Sequence, residues 1–247
     1  MNRIELLLLD ELHPFIEEEK AIFYPRFFKA YEGGYGEGDK FIGVRACYIN
    51  EIAKKNIALS LKDLECLINS EIHEIRRVAL IILCIKYKKT KIREERKKIV
   101  TFYLNNTNGI NNWDLVDCSA PKIIGEYLTD YAEPLKLLKE LALSENIWEQ
   151  RIGIVSCLSF IRLKRYKEPL EILQLKLLVT EDILQKAVGW MLREISKRDM
   201  KVTFNFIEKN YNYISRTSLR CAIELFPKED RQNILKGALE KVIIHNS

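Results

Sequence analysis

Residues 71–87, EIHEIRRVALIILCIKY, decide the fold class. Ile72, Ile75, Val78, Ala79, Ile82 and Ile85 recur at helical spacing and form one apolar stripe, with charge opposite. Residues 147–163 and 183–196 repeat that design, and no segment shows the sustained alternation of a strand. Aligning the segments sets Arg77 followed by Ala79 against Arg151 by Gly153, Gln185 by Ala187 and Arg220 by Ala222. The intervals are 74, 34 and 35 residues, and half of the first falls at Asp114, where another helix is expected to begin. A period of about 35–40 is that of helix-pair repeats. A small residue two positions after a polar one lets neighbouring helices approach closely, as stacking requires. The expectation is an all-α, HEAT-like helical-repeat solenoid, an α-α superhelix built as a single domain over residues 1–247. Its concave surface would be lined by the start of each second helix. An irregular helical bundle with chance similarity is the alternative.

Composition narrows the function classes. Of 247 residues, 47% are hydrophobic and 30% charged, a mixture that suits helices with one buried and one wet face. The net charge of +5 is modest, so its placement matters more than its size. Residues 1–40 carry nine acidic and five basic side chains, whereas residues 148–220 carry fourteen basic and eight acidic ones. A basic C-terminal half is the footprint of a phosphate-backbone binder, or else ordinary solvated helix faces. The six cysteines are scattered without a C-x-x-C pair, and His13, His73 and His245 are too far apart to point to zinc. Cys84, Cys157 and Cys221 lie in apolar helical runs and read as small hydrophobes. The apolar run 4–9 is broken by Asp10 and Glu11, too short for a signal peptide or a membrane span. No metal, cofactor, membrane or disulfide framework is expected, and a reducing cytoplasmic setting is, nucleoid-associated or nuclear according to the cell.

Two stretches interrupt the helical pattern. Residues 33–39, GGYGEGD, follow an aromatic helix containing Phe23, Tyr24, Phe27, Phe28 and Tyr31. No Lys-Ser/Thr follows the glycines and two acids intrude, so this is expected to be a mobile connector and not a phosphate cradle. Phe23, Phe27 and Phe28 are expected in the core. The second stretch is INNWDLVDCSAPKIIGEYL, residues 110–128. Asn111 or Asn112 is a natural N-cap. Trp113 and Asp117 then stand at i and i+4 on one helix face. Pro121 lies four residues beyond Asp117, cannot donate to its carbonyl and should kink the helix, unless it opens a fresh one. An indole and a carboxylate would then emerge together at a bend. The plain reading is a core tryptophan and a surface charge.

Here the residues resemble a known family. INNWDLVDCSAPKIIG is similar to the motif of AlkD-type DNA alkylation repair proteins, in which Trp-x-x-x-Asp holds the catalytic carboxylate. NIWEQRIGI (146–154) resembles a family segment whose arginine, here Arg151, contacts DNA phosphate. LQKAVGWMLREISK (184–197) resembles one whose tryptophan, here Trp190, faces the first across the lesion. GDKFIGVR (38–45) and HEIRRVALIILCIKYKK (73–89) also resemble family signatures, so the likeness runs from about residue 20 to 200. The chain departs from the family after GVR, where a Pro and an Arg are replaced by Ala46-Cys47-Tyr48-Ile49-Asn50.

The resemblance implies a monofunctional DNA glycosylase that excises 3-methyladenine and 7-methylguanine from double-stranded DNA without drawing the base into a deep pocket, acting as a monomer. Catalytic residues would be Asp117, Trp113 and Trp190, and DNA-binding residues Arg151, with Lys186 and Arg193 on the next helix. The chemistry fits a narrow substrate range. An N3- or N7-alkylated purine is cationic and departs without a general acid, leaving an oxocarbenium-like sugar. A carboxylate ~4 Å from that charge contributes on the order of 4 kcal/mol at a surface-like dielectric, or roughly three powers of ten in rate. Each indole adds about 0.5–2 kcal/mol of cation–π attraction. The only acidic neighbours within helical reach are Asp114 and Glu194. Two other readings remain: a catalytically silent relative that binds damaged or branched DNA, and a HEAT-type protein-interaction scaffold.

Overall fold

A computed structural model describes residues 2–131 and 133–242. His245 therefore lies outside the described residues. Those residues are helical, and two isolated bridges, Ile16 to Val44 and Lys40 to Ile72, are the extended pairings among them. They fall into two compact units, one ending at Ile123 and the other beginning at Ile124. No helix among the described residues is long and apolar enough to cross a membrane.

In the first unit the helices are α1 (Arg3–Leu12), α2 (Glu18–Phe27), α3 (Ala46–Lys55), α4 (Leu61–Ile68), α5 (His73–Lys89), α6 (Arg93–Asn105) and α7 (Trp113–Ala120). Helix α5 is the centre: α1, α3, α4, α6 and α7 all pack on it. Ile75, Val78, Ala79 and Ile82 of its apolar stripe are buried as the spacing predicts. Leu80, Ile81, Leu83 and Cys84 are buried too, because so many helices surround it. The face expected to be charged and wet is also enclosed, with His73, Glu74 and Arg76 buried at the first turn.

The second unit holds α8 (Glu126–Thr129), α9 (Pro134–Ala142), α10 (Ile147–Arg162), α11 (Lys167–Leu175), α12 (Asp182–Ser196), α13 (Met200–Asn210), α14 (Arg216–Ala222) and α15 (Lys228–Lys236). Helix α12 packs on both α10 and α14, while α9 packs on α10 and on α11. This packing of successive helices is consistent with the helix-pair repeats expected from the period. Arg77, Arg151 and Gln185 fall near the starts of α5, α10 and α12, whereas Arg220 lies in the last turn of the short α14. The small residues behind them do the expected work at Gly153, where an added Cβ would come within 2.9 Å of the Ala142 backbone nitrogen and 3.1 Å of the Leu138 carbonyl. Burial of the α10 face against α9 depends on that missing carbon.

Candidate functional site

The Trp-x-x-x-Asp segment is built as expected. Asn112 caps α7, its side-chain oxygen accepting from the Trp113 amide at 2.9 Å. Trp113 and Asp117 are both half-buried, one turn apart on one face. At Pro121 the chain neither stops nor begins a new α-helix. Residues Pro121–Gly125 form one π-helical turn, after which α8 starts. Proline lacks the N–H that would continue the α-helical ladder, and widening the turn is one way to accommodate it.

Trp113 is not alone. Its ring packs on Phe28 (centroids 5.4 Å apart, 30° between planes) and meets Phe27 edge-on at 5.7 Å. Phe28 stacks on Phe41 at 5.1 Å and 6°, and Phe41 on His73 at 4.7 Å. The core expectation holds for Phe28, which is 7% exposed, but fails for Phe23 and Phe27, which are 54% and 48% exposed. Helix α2 has no buried residue in any position, so its aromatic face is left open. Trp113, Phe27, Phe28 and Phe41, with Tyr24, Glu74, Arg77 and Asp114, line a cavity of about 250 Å³.

Beneath it lies a charged network that sequence reading missed. His73 is held between two carboxylates, with Nδ1 3.1 Å from Asp39 Oδ2 and Nε2 3.0 Å from Asp114 Oδ2. Arg76 donates to Asp39 Oδ1 at 2.6 Å and to the Ser70 carbonyl at 2.7 Å, and Arg77 to Asp114 Oδ2 at 2.7 Å. Burial alone would lower the His73 pKa, but the Asp114 and Asp39 carboxylates overcome it and hold the ring above its ordinary value. Burial also disfavours both carboxylates, yet His73 with Arg76 keeps Asp39, and His73 with Arg77 keeps Asp114, below the usual range. Glu74 completes the assembly by accepting the Ile42, Gly43 and Val44 amides. Gly43, at φ +82°, brings the loop so close to α2 that a Cβ would lie 2.3 Å from the Glu17 carbonyl. The paired motifs GDKFIGVR and HEIRR are thus the two halves of one clamp. The signal was present in their charges, but the partners are some 30 residues apart.

The Gly-rich stretch is accordingly not the loose connector expected. Gly36 packs where a Cβ would meet the Phe28 carbonyl at 2.5 Å and the Asn112 amide nitrogen at 2.9 Å. Asp39, read as an intruding acid, is its buried anchor, receiving Asn111 Nδ2 at 3.2 Å as well.

In the second unit Lys186, Trp190 and Arg193 share one face of α12. Lys186 is exposed and paired with Asp182 at 2.6 Å, both side chains at least half solvated. Trp190 is half-buried and donates from Nε1 to Glu194 at 3.3 Å. Arg193 is engaged by Glu224 at 2.5 Å. Burial disfavours the charge of Glu194, but Lys197, Arg198 and the Trp190 N–H hold its carboxyl below the usual range. Arg151 departs most from expectation. It is 5% exposed and donates from a terminal nitrogen to the Ile183 carbonyl at 2.5 Å, tying α10 to the start of α12. In this arrangement it is a structural tie before it is a phosphate contact. The six cysteines are all unpaired as disulfides. No group of three metal-ligating side chains occurs among the described residues.

Comparison with known proteins gives a consistent answer. A family model described as DNA alkylation repair enzyme matches residues 8–226. Among solved structures, the chain is similar to one titled "Predicted DNA alkylation repair enzyme from Enterococcus faecalis", with a TM-score of 0.67 and 18% identity, covering 86% of this chain and 97% of that one. At that identity the likeness is one of fold. Among curated proteins, none matches the chain.

Proposed function

The chain belongs to the DNA alkylation repair enzyme family, and from that premise we propose that it is a monofunctional glycosylase hydrolysing the N-glycosidic bond of cationic alkylpurines in duplex DNA. The observation that carries the proposal is the pairing of Trp113 and Asp117, half-buried on one face of α7 beside an open aromatic wall. A carboxylate partly excluded from water acts on a nearby cation more strongly than one in bulk solvent. Asp117 would stabilise the oxocarbenium-like sugar and orient the attacking water. Trp113 and Trp190 would hold the deoxyribose by packing and cation–π attraction. Lys186 is the exposed cation best suited to a backbone phosphate. Arg193 would join it by exchanging Glu224 for a phosphate oxygen. Arg151 would do so only by giving up the Ile183 carbonyl.

Proton supply limits the substrate. Asp114 and Glu194, the carboxyls nearest the tryptophans in sequence, are both held below the usual carboxylate range and are poor acids near neutral pH. His73 has both ring nitrogens engaged by carboxylates. A neutral leaving base therefore has no donor, and the roughly three decades available from Asp117 suffice only for a base that already carries positive charge. The test is free-base release, followed by chromatography, from duplexes containing 7-methylguanine, 3-methyladenine, hypoxanthine, uracil or 1,N6-ethenoadenine at equal enzyme excess. The two methylpurines are expected to be released and the others to survive. Efficient release of hypoxanthine would sink the mechanism. No release from either methylpurine, with DNA binding retained, would favour a silent DNA-binding relative.

A further inference from the structure

A denser positive stretch than any in residues 148–220 lies in the first unit. Residues 86–98, KYKKTKIREERKK, carry eight basic and two acidic side chains, a balance of +6 where the whole chain has +5. They form the end of α5, the connecting turn and the start of α6. Lys88, Lys89, Lys91, Arg93, Lys97 and Lys98 are all exposed. Lys98 pairs with Glu95 at 2.8 Å, but Lys88, Lys89, Lys91 and Lys97 make no ion pair with any described residue. Lys186 and Arg193, by contrast, are each answered by a carboxylate. Helix-end electrostatics account for only part of the run. Cations suit the C-terminal end of α5 and anions the N-terminal end of α6, which explains Lys86, Lys88 and Lys89, and also Glu94 and Glu95. Lys91 and Arg93 stand against that rule at the positive end of α6, so fold stability does not account for them. The turn itself is pinned. The Thr90 carbonyl accepts from Arg96 Nε at 3.0 Å and its hydroxyl from the Ile92 amide at 3.3 Å, while the Arg96 guanidinium lies over the Tyr87 ring at 4.9 Å.

We propose that the α5–α6 turn is a second, sequence-independent binding surface for the phosphate backbone of duplex DNA, separate from the Trp113–Asp117 segment. Helix α5 sets the separation. Arg77, near its start, holds Asp114 of α7, and Lys89 lies twelve residues further on, about 18 Å along the axis. A duplex presents about ten phosphates over that length. A polyphosphate also fits the surface better than a folded protein or a lipid bilayer does. Ile92 is the one large apolar side chain exposed between residues 86 and 98. It is too little for the apolar core of a protein interface or for insertion among acyl chains. Phosphate binding needs neither, because counterion release rewards charge alone. That the polyphosphate is DNA rests on membership of the alkylation repair family, and it does not depend on whether the chain excises a base.

The experiment therefore uses undamaged duplex and measures no base release. Fluorescence anisotropy at several salt concentrations compares the parent with a triple variant, Lys89→Gln with Lys91→Gln and Lys97→Gln. The slope of log affinity against log salt is expected to flatten by about two to three, with affinity about tenfold or more weaker at low salt. A control variant removes the same charge elsewhere in the first unit, at the exposed Lys54, Lys55 and Lys62, each changed to Gln. Its slope should move by less than about one. Melting temperatures check that both variants are folded. Equal flattening in the control overturns the proposal by reducing it to net charge. An unchanged slope in the first variant also overturns it, and loss of binding to phosphatidylserine vesicles would then give the surface to a membrane. Stoichiometric titration separates the two supporting outcomes. One duplex per chain in the parent places the flank of the lesion-bearing duplex on the turn, whereas two, falling to one in the triple variant, place a second duplex there. A catalytically silent chain leaves this result standing, and a chain that excises methylpurines with an unchanged slope loses only this surface.

Discussion

Asp117 and Arg151 come from neighbouring motifs of the sequence, yet the structure gives them different standing. Asp117 is half-buried one turn beyond Trp113 and is the residue proposed as the transition-state carboxylate. Asp117→Asn is expected to lower the single-turnover excision rate by roughly three orders of magnitude. Affinity for the duplex should stay within about threefold, because the charge acts on a cation that forms only during the reaction. A variant within threefold of the parent rate would falsify the assignment. Arg151 is buried and holds the Ile183 carbonyl. Arg151→Ala should therefore cost about 2–4 kcal/mol of stability by leaving a buried acceptor and a cavity, measured as a lowered urea midpoint. If a phosphate contact is also lost, the slope of log affinity against log salt flattens by about one. A loss of stability with the slope unchanged assigns Arg151 to the fold alone.

At the scale of elements, the clamp between loop 39–45 and the first turn of α5 explains why two remote motifs occur together. Asp39, His73 and Asp114 join the loop, α5 and α7 through one imidazole. Its charges set a pH window. The folded pKa of His73 is raised, so its stabilisation is complete below about pH 6.5 and is lost as pH rises through the folded value. Asp39 and Asp114 are lowered, so their contribution is complete above about pH 3.9 and is lost as pH falls through their folded values. Urea midpoints measured from pH 3 to 9 should plateau roughly between pH 4 and 6.5 and fall on either side. His73→Asn should lower the plateau and remove most of the alkaline fall. A parent profile that keeps rising above pH 7 would contradict a protonated His73.

At the scale of the whole molecule, the relevant quantity is where unneutralised positive charge lies. Residues 148–220 carry an excess of basic side chains, but many of them are answered locally. Lys186 pairs with Asp182, Arg193 with Glu224, and Lys197 and Arg198 with Glu194. An exposed pair such as Lys186–Asp182 contributes about 0.2–1 kcal/mol and exchanges readily for phosphate. Lys186→Ala should weaken binding to damaged and undamaged duplex alike and flatten the salt slope by about one. Glu224→Gln should do the opposite. By releasing Arg193 it is expected to raise affinity about threefold, read by fluorescence anisotropy at several salt concentrations. Unchanged affinity in Glu224→Gln would remove Arg193 from the DNA-binding residues.

The sequence by itself determined the helical class and the placing of Trp113 and Asp117 on one helix face. Both depend on spacing along the chain, where 3.6 residues per turn converts position into direction. The close approach at Gly153 was legible for the same reason, as was a cap at Asn111 or Asn112, of which the structure chose Asn112. Tertiary structure decided what those elements enclose. That His73 lies between Asp39 and Asp114, across 34 and 41 residues, follows from how the loop and α7 close over α5. No local period encodes that closure. Phe28 and Phe27 are adjacent and chemically identical, yet Phe28, just past the end of α2, is buried under Phe41, His73 and Trp113 while Phe27 is left open. Arg151 and Lys186 are both cations near helix starts. The first was drawn inward by a carbonyl 32 residues away, the second left in solvent, and burial of that kind is a property of the packed neighbours, not of the residue.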